Sequence, residues 1–158
     1  MYDVCLISFC ILLVYGAVCD VTTFEIPNFV SIVGGFLFFP AALFVQLELG
    51  VMAFHLLAAA LAFGAGFSLF VANVLGGGDV KIFSVVALWS GLQDLLPLLF
   101  CMALIGGLLA LLLLLFRRFR LPRGAHHLGW LANLHAQKGV PYSVAIVLAA
   151  LLSFSGSW

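Results

Sequence analysis

Val51–Leu75 runs for 25 residues without an Asp, Glu, Lys or Arg, its most polar members being His55, Ser68 and Asn73. An uncharged run of this length reads as a transmembrane helix, because only a helix satisfies every backbone N–H and C=O within its own segment when no water is at hand. The rest of the chain agrees. Of 158 residues, 66% are hydrophobic and 8% charged, and a soluble protein of that size could not hide so much apolar surface. The expected fold is all-α, a polytopic membrane protein forming one domain over 1–158, with the lipid bilayer as its first partner.

The apolar runs predict about six spans, at 4–19, 29–46, 51–75, 80–92, 95–116 and 140–156, with one extended polar loop at 117–139. Pro40 is expected to kink or weaken the second span, and Gln93-Asp94 to separate the fourth from the fifth. Spans one, four and six fall short of the usual ~20 residues, which points to a thin local bilayer or to helices sheltered by their neighbours. The first 19 residues hold no Lys or Arg to form the positive region of a signal peptide, so the first span is expected to stay in the mature protein.

Charge then orients the bundle. Lys81 lies between spans three and four, and Arg117, Arg118, Arg120, Arg123 and Lys138 lie in the loop at 117–139. With six spans these loops share one face, which the positive-inside rule makes cytoplasmic, and both termini lie outside. The same count puts Asp20 and Asp79 at the cytoplasmic ends of their spans, where they can meet. Asp3 and Asp94 fall on the opposite face.

Between the third and fourth spans stands Gly76-Gly77-Gly78-Asp79-Val80-Lys81. A carboxylate at membrane depth costs about 3 kcal/mol or more, and its default reading is functional. Three glycines beside it free the backbone to leave the helix, and non-helical backbone at that depth survives only inside protein or along a watery cavity. The alternative is an interfacial turn in which Asp79 and Lys81 are merely solvated. Two carboxylates close together cannot both ionise cheaply, so one keeps a proton. The ionised partner can accept a proton from water as it attacks a peptide carbonyl, while the protonated one donates to the developing oxyanion. Such a pair needs no metal or cofactor, and which Asp acts as base stays open because coupled groups titrate together.

Asp20 followed by Ile26-Pro27-Asn28, then Gly76-Gly77-Gly78-Asp79-Val80-Lys81, then Val140-Pro141-Tyr142-Ser143-Val144-Ala145-Ile146, resembles the type IV prepilin peptidases, GxGD membrane aspartyl proteases. The resemblance implies that Asp20 and Asp79 are the catalytic pair and that Gly76 and Gly78 are the glycines of the motif. It implies a prepilin or pseudopilin precursor as partner, cleaved at the cytoplasmic face of the plasma (inner) membrane in the service of type IV pili or protein secretion. Members that also methylate their product carry an extra region with paired cysteines. Here Cys5, Cys10, Cys19 and Cys101 form no CxxC pair and read as small buried hydrophobes, so the chain is similar to the short, peptidase-only branch, without methyltransferase activity. Glu25 stands where the family often has a basic residue, which bears on recognition of the leader.

Other residues carry plainer readings. Pro27 and Asn28 are expected to open the second helix rather than touch substrate. Lys81, two residues from Asp79, would not face it on a helix and reads as an interfacial anchor ahead of a partner for an acidic group on a substrate. Glu25 is expected to be a solvated loop residue near the rim of the site, and His55 a satisfied packing residue. His126, His127 and His135 match no metal-site spacing, and no metal is expected. No nucleic-acid partner is expected. A presenilin-type protease would need a YD motif within a span, and Tyr2-Asp3 lies on the wrong face. The reading from another class is a small proton-coupled carrier or channel subunit using the two Asp residues as a relay.

Overall fold

The computed structural model describes residues 1–118 and 141–155, and within them the chain is all-α. Its helices are α1 (Tyr2–Thr23), α2 (Asn28–Phe44), α3 (Leu49–Val71), α4 (Gly77–Arg118) and α5 (Tyr142–Ser155). Tyr2–Thr23, Leu49–Val71 and Gly77–Phe116 are long and apolar enough to cross a membrane, and Asn28–Phe44 and Tyr142–Phe154 are shorter apolar helices. Large apolar side chains such as Ile11, Phe36, Leu61 and Leu104 face outward, as suits a lipid solvent. This is a membrane protein. The loop at 117–139, with His126, His127 and His135, lies beyond Arg118 and outside the described residues, apart from the end of α4.

Several boundaries differ from the sequence reading, each for a local reason. The first helix does not stop at residue 19. Thr22 and Thr23 return their hydroxyls to the carbonyls of Val18 and Cys19, and Asp20 O accepts from Phe24 N–H at 2.9 Å as Phe24 turns left-handed (φ 56). Asp20 is therefore in the last turn of a helix, not in a loop. The third helix ends at Val71, four residues before the apolar run does, because Asn73 takes φ 57 and the chain folds back with Val74 N–H on Leu69 O. Apolar composition is blind to that turn. α2 runs on through Pro40.

The separation expected at Gln93-Asp94 falls instead at Gly91, whose backbone (φ 76, ψ 177) interrupts α4. That conformation favours glycine, and a β-carbon there would stand 2.9 Å from the His55 ring. Carbonyls just before such a break lose their helical partners, and Leu88 O takes Nδ1–H of His55 at 2.8 Å. His55 also packs on Phe38 at 5.3 Å between centroids. It is the satisfied packing residue expected of it.

In the core, side chains of α1 meet those of the first half of α4 in antiparallel order. Phe9, fully buried, stacks on Trp89 at 4.5 Å and 8°. Trp89 Nε1–H donates to Gly34 O at 2.9 Å, and a β-carbon on Gly34 would collide with Phe9 at 2.9 Å, so α2 closes over the stack. Seven residues along from Phe9, Gly16 meets Ile82, which lies seven residues back from Trp89. Continuing the ladder by four residues on α1 and three on α4 reaches Asp20 and Asp79. With a rise of about 1.5 Å per residue, both climb about 15 Å from the aromatic stack and arrive level. The four cysteines are half-buried and free.

Candidate active site

Asp20 and Asp79 come from the end of one helix and the start of another, and they line one cavity of about 320 Å³. Phe24, Glu25, Ile26, Gly76, Gly77, Gly78 and Lys81 complete its lining. Both carboxyls are buried, 6% and 7% exposed, and close enough for their charges to interact. A solvated turn would leave Asp79 in water, so that alternative fails for this residue. Lys81 is exposed and donates to Asn28 Oδ1 at 2.8 Å, tying the start of α4 to the start of α2. Pro27 caps α2 in extended conformation, so Pro27 and Asn28 open that helix as expected, and neither lines the cavity. Glu25 sits exposed on its rim.

Each carboxyl has a support of its own, and the two share Ser143. Asp79 is the third residue of α4, and the backbone N–H groups of Gly76 and Ser143 face its carboxylate. A side chain at the third helical position reaching back to the N–H before the helix is half of a capping box, and it stands at the favourable end of the helix dipole. Its Oδ1 is buried with no hydrogen-bond partner among the described residues. Asp20 Oδ2 accepts from Ser143 Oγ–H at 2.5 Å, and the Ser143 backbone N–H faces the same carboxylate. Ser143, fully buried in the first turn of α5, thus adjoins both carboxyls. Sequence reasoning quoted the stretch that contains it but gave it no role. The available signal was a hydroxyl at the head of an apolar run.

The glycines act otherwise than their flexibility suggests. Among the described glycines only Gly91 has positive φ, so the triplet at 76–78 adopts backbone any residue could take. What it supplies is space. A β-carbon on Gly76 would stand 3.0 Å from Asp79 Oδ2, and one on Gly78 3.0 Å from Ile26 Cβ and Cδ1. On Gly77 it would meet only the Phe70 ring edge, at 3.3 Å. Ile26 is β-branched and anchored in the turn, whereas Phe70 is exposed and can swing. A pattern of two required glycines around a free position follows from these contacts.

Asp94, at the other end of the ladder, lines a separate cavity of about 510 Å³ with Tyr2 and His55. Phe9, Ile82 and Val86, each fully buried, lie along the helices between the two ends. No group of three or more potential metal ligands occurs among the described residues.

A family model described as the type IV leader peptidase family matches residues 7–111. Neither a curated protein nor a solved structure matches the chain.

Proposed function

The chain belongs to the type IV leader peptidase family, and from that premise we propose that it is an aspartyl endopeptidase whose dyad is Asp20 and Asp79. The family makes it a protease that processes prepilin-like precursors. The observation that carries the dyad is the convergence of two buried carboxyls, from separate helices, on one polar cavity. In this reading the pair holds one proton between them. The ionised carboxylate takes a proton from water as its oxygen bonds to the scissile carbonyl carbon, and the protonated partner donates to the oxygen of that carbonyl. Collapse breaks the C–N bond, and the leaving amine takes up a proton within the dyad. Asp79 Oδ1, without a hydrogen-bond partner among the described residues, and Asp20, fixed by Ser143, suit complementary parts in that exchange.

Counting the halves of α4 separately gives six apolar helical segments among the described residues, which supports the six-span reading. That count and the clustering of Lys and Arg support a reading in which the cavity faces the cytoplasm at the inner membrane. A proton carrier is the second reading. It needs polar groups across the bilayer, and the apolar middle of the ladder argues for the protease instead.

Cleavage of a co-expressed prepilin, read as a gel shift, tests the dyad. Asp20→Asn and Asp79→Asn keep size and remove the titrating proton, and both are expected to abolish cleavage at normal membrane levels. Cleavage surviving in either would sink the dyad and turn attention to proton flux.

A further inference from the structure

Beside the carboxyls, the bundle carries a second concavity on its outer surface. A groove of about 410 Å³ runs between α1 and α5, walled by Val14, Ala17 and Val18 on one side and Val147, Leu148 and Leu151 on the other. Among the described residues Thr22 is its single polar lining residue, and its hydroxyl is already given to Val18 O at 2.8 Å and Cys19 O at 3.1 Å. The groove therefore offers no free side-chain donor. An occupant must present only apolar surface, and a polypeptide can do so in a bilayer only as a helix that satisfies its own backbone. What favours such a helix over a lipid acyl chain is where the groove leads.

The groove leads to the dyad on both walls. Asp20 lies three residues after Ala17, and Ser143 four residues before Val147, spacings that put each pair on neighbouring positions of one helix flank. Asp20 and Ser143, joined by their hydrogen bond, thus stand at the inner edge of the groove's end. There α1 itself stops, at Thr23. A helix lying in the groove loses its packing partner at that level, and its chain is free to extend, as a peptide bond must before water can attack it.

We propose that this groove seats the apolar helix of the substrate, directing the segment that leaves its end into the Asp20–Asp79 cavity. The proposal rests on the protease reading and adds the surface that selects for a membrane-embedded precursor. From Val14 to Thr22 the wall rises about 12 Å, so about two turns of the substrate helix are gripped and the remainder is unread. Glu25 on the cavity rim offers a carboxylate, outside the dyad, to a leader of basic character.

The test fills the groove from its rim. Val18 and Leu148 are 55% and 45% exposed, so Val18→Trp and Leu148→Trp add bulk without entering the core. Each is expected to reduce cleavage of the full-length precursor in proteoliposomes at least about tenfold, by steric exclusion. A soluble peptide carrying the leader and scissile bond, truncated within one turn after it, should be cleaved at the wild-type rate. Leu61→Trp, on an equally exposed face of α3, should change neither. Unchanged cleavage of the full precursor in both groove variants overturns the proposal. Where both substrates are lost, benzoylphenylalanine in place of Val18 in the Asp79→Asn protein decides. A photo-adduct to the precursor's apolar segment supports the groove, and adducts only to lipid or to a second copy overturn it. Failure of the protease reading shows separately, as cleavage surviving Asp20→Asn or Asp79→Asn.

Discussion

Ser143→Ala removes one oxygen atom from a position that is fully buried and 123 residues from its partner in sequence. The hydroxyl donates to Asp20 Oδ2 at 2.5 Å, and the alanine removes that donor while leaving the Ser143 backbone N–H beside the carboxylate. A hydrogen bond to a charged group contributes about 1.5–3 kcal/mol. If Asp20 must be oriented for the attack, that amount appears in the barrier, and at about 1.36 kcal/mol per decade it slows kcat roughly ten- to a hundredfold. KM should hardly move, because Ser143 does not line the cavity. The assay is leader cleavage by purified enzyme over a range of precursor concentrations, with a thermal melt to show that the fold persists. A kcat within about twofold of wild type would refute the positioning role, and a raised KM at constant kcat would mean that Ser143 meets substrate instead.

The glycine triplet gives an ordered series. Overpacking costs about 1–3 kcal/mol, so Gly76→Ala and Gly78→Ala should each lower cleavage by about tenfold or more, with Gly77→Ala close to wild type; equal losses at all three would show that flexibility matters after all. Gly91→Ala meets both a left-handed backbone and the His55 ring at 2.9 Å. The backbone alone costs about 1–3 kcal/mol, and the expected result is a melting temperature in detergent lower by at least about 3 °C. An unchanged melt would mean that the break at Gly91 is not rigidly held.

What could be read from the chain, and what could not, follows from how each feature is encoded. Asp20 and Asp79 stood out because a charge in apolar surroundings is conspicuous without any coordinates. The helices were legible from their apolar runs, since each run is a local property. Helix ends were less so. The extension of α1 to Thr23 depends on two threonines satisfying their own helix, and the end of α3 depends on Asn73 turning left-handed within a run that stays apolar. Gln93-Asp94 marked the polarity of a break, whereas Gly91, two residues earlier, supplies the conformation it requires. The value of Gly76 and Gly78 was visible and its cause was not. Ile26, the neighbour that forbids a side chain on Gly78, lies 52 residues away in sequence. Ser143 was hidden for the same reason, as its partner is contributed by the first helix.

The matched register of α1 and α4 bears on how such a chain can change length. Phe9 against Trp89 fixes both the height and the rotation of each helix, and the carboxyls depend on the residue count from that point. One residue inserted between Phe9 and Asp20 would swing the carboxyl by about 100° and lift it about 1.5 Å, turning it from Asp79 toward lipid. A deletion between Asp79 and Trp89 would do the same from the other side. Length variation should therefore collect before Phe9 and in the connections between helices, and be absent from these two intervals. A viable natural insertion within either would have to be matched by an equal one in the other, because even a whole turn in one helix alone would lift its carboxyl about 5.4 Å from its partner.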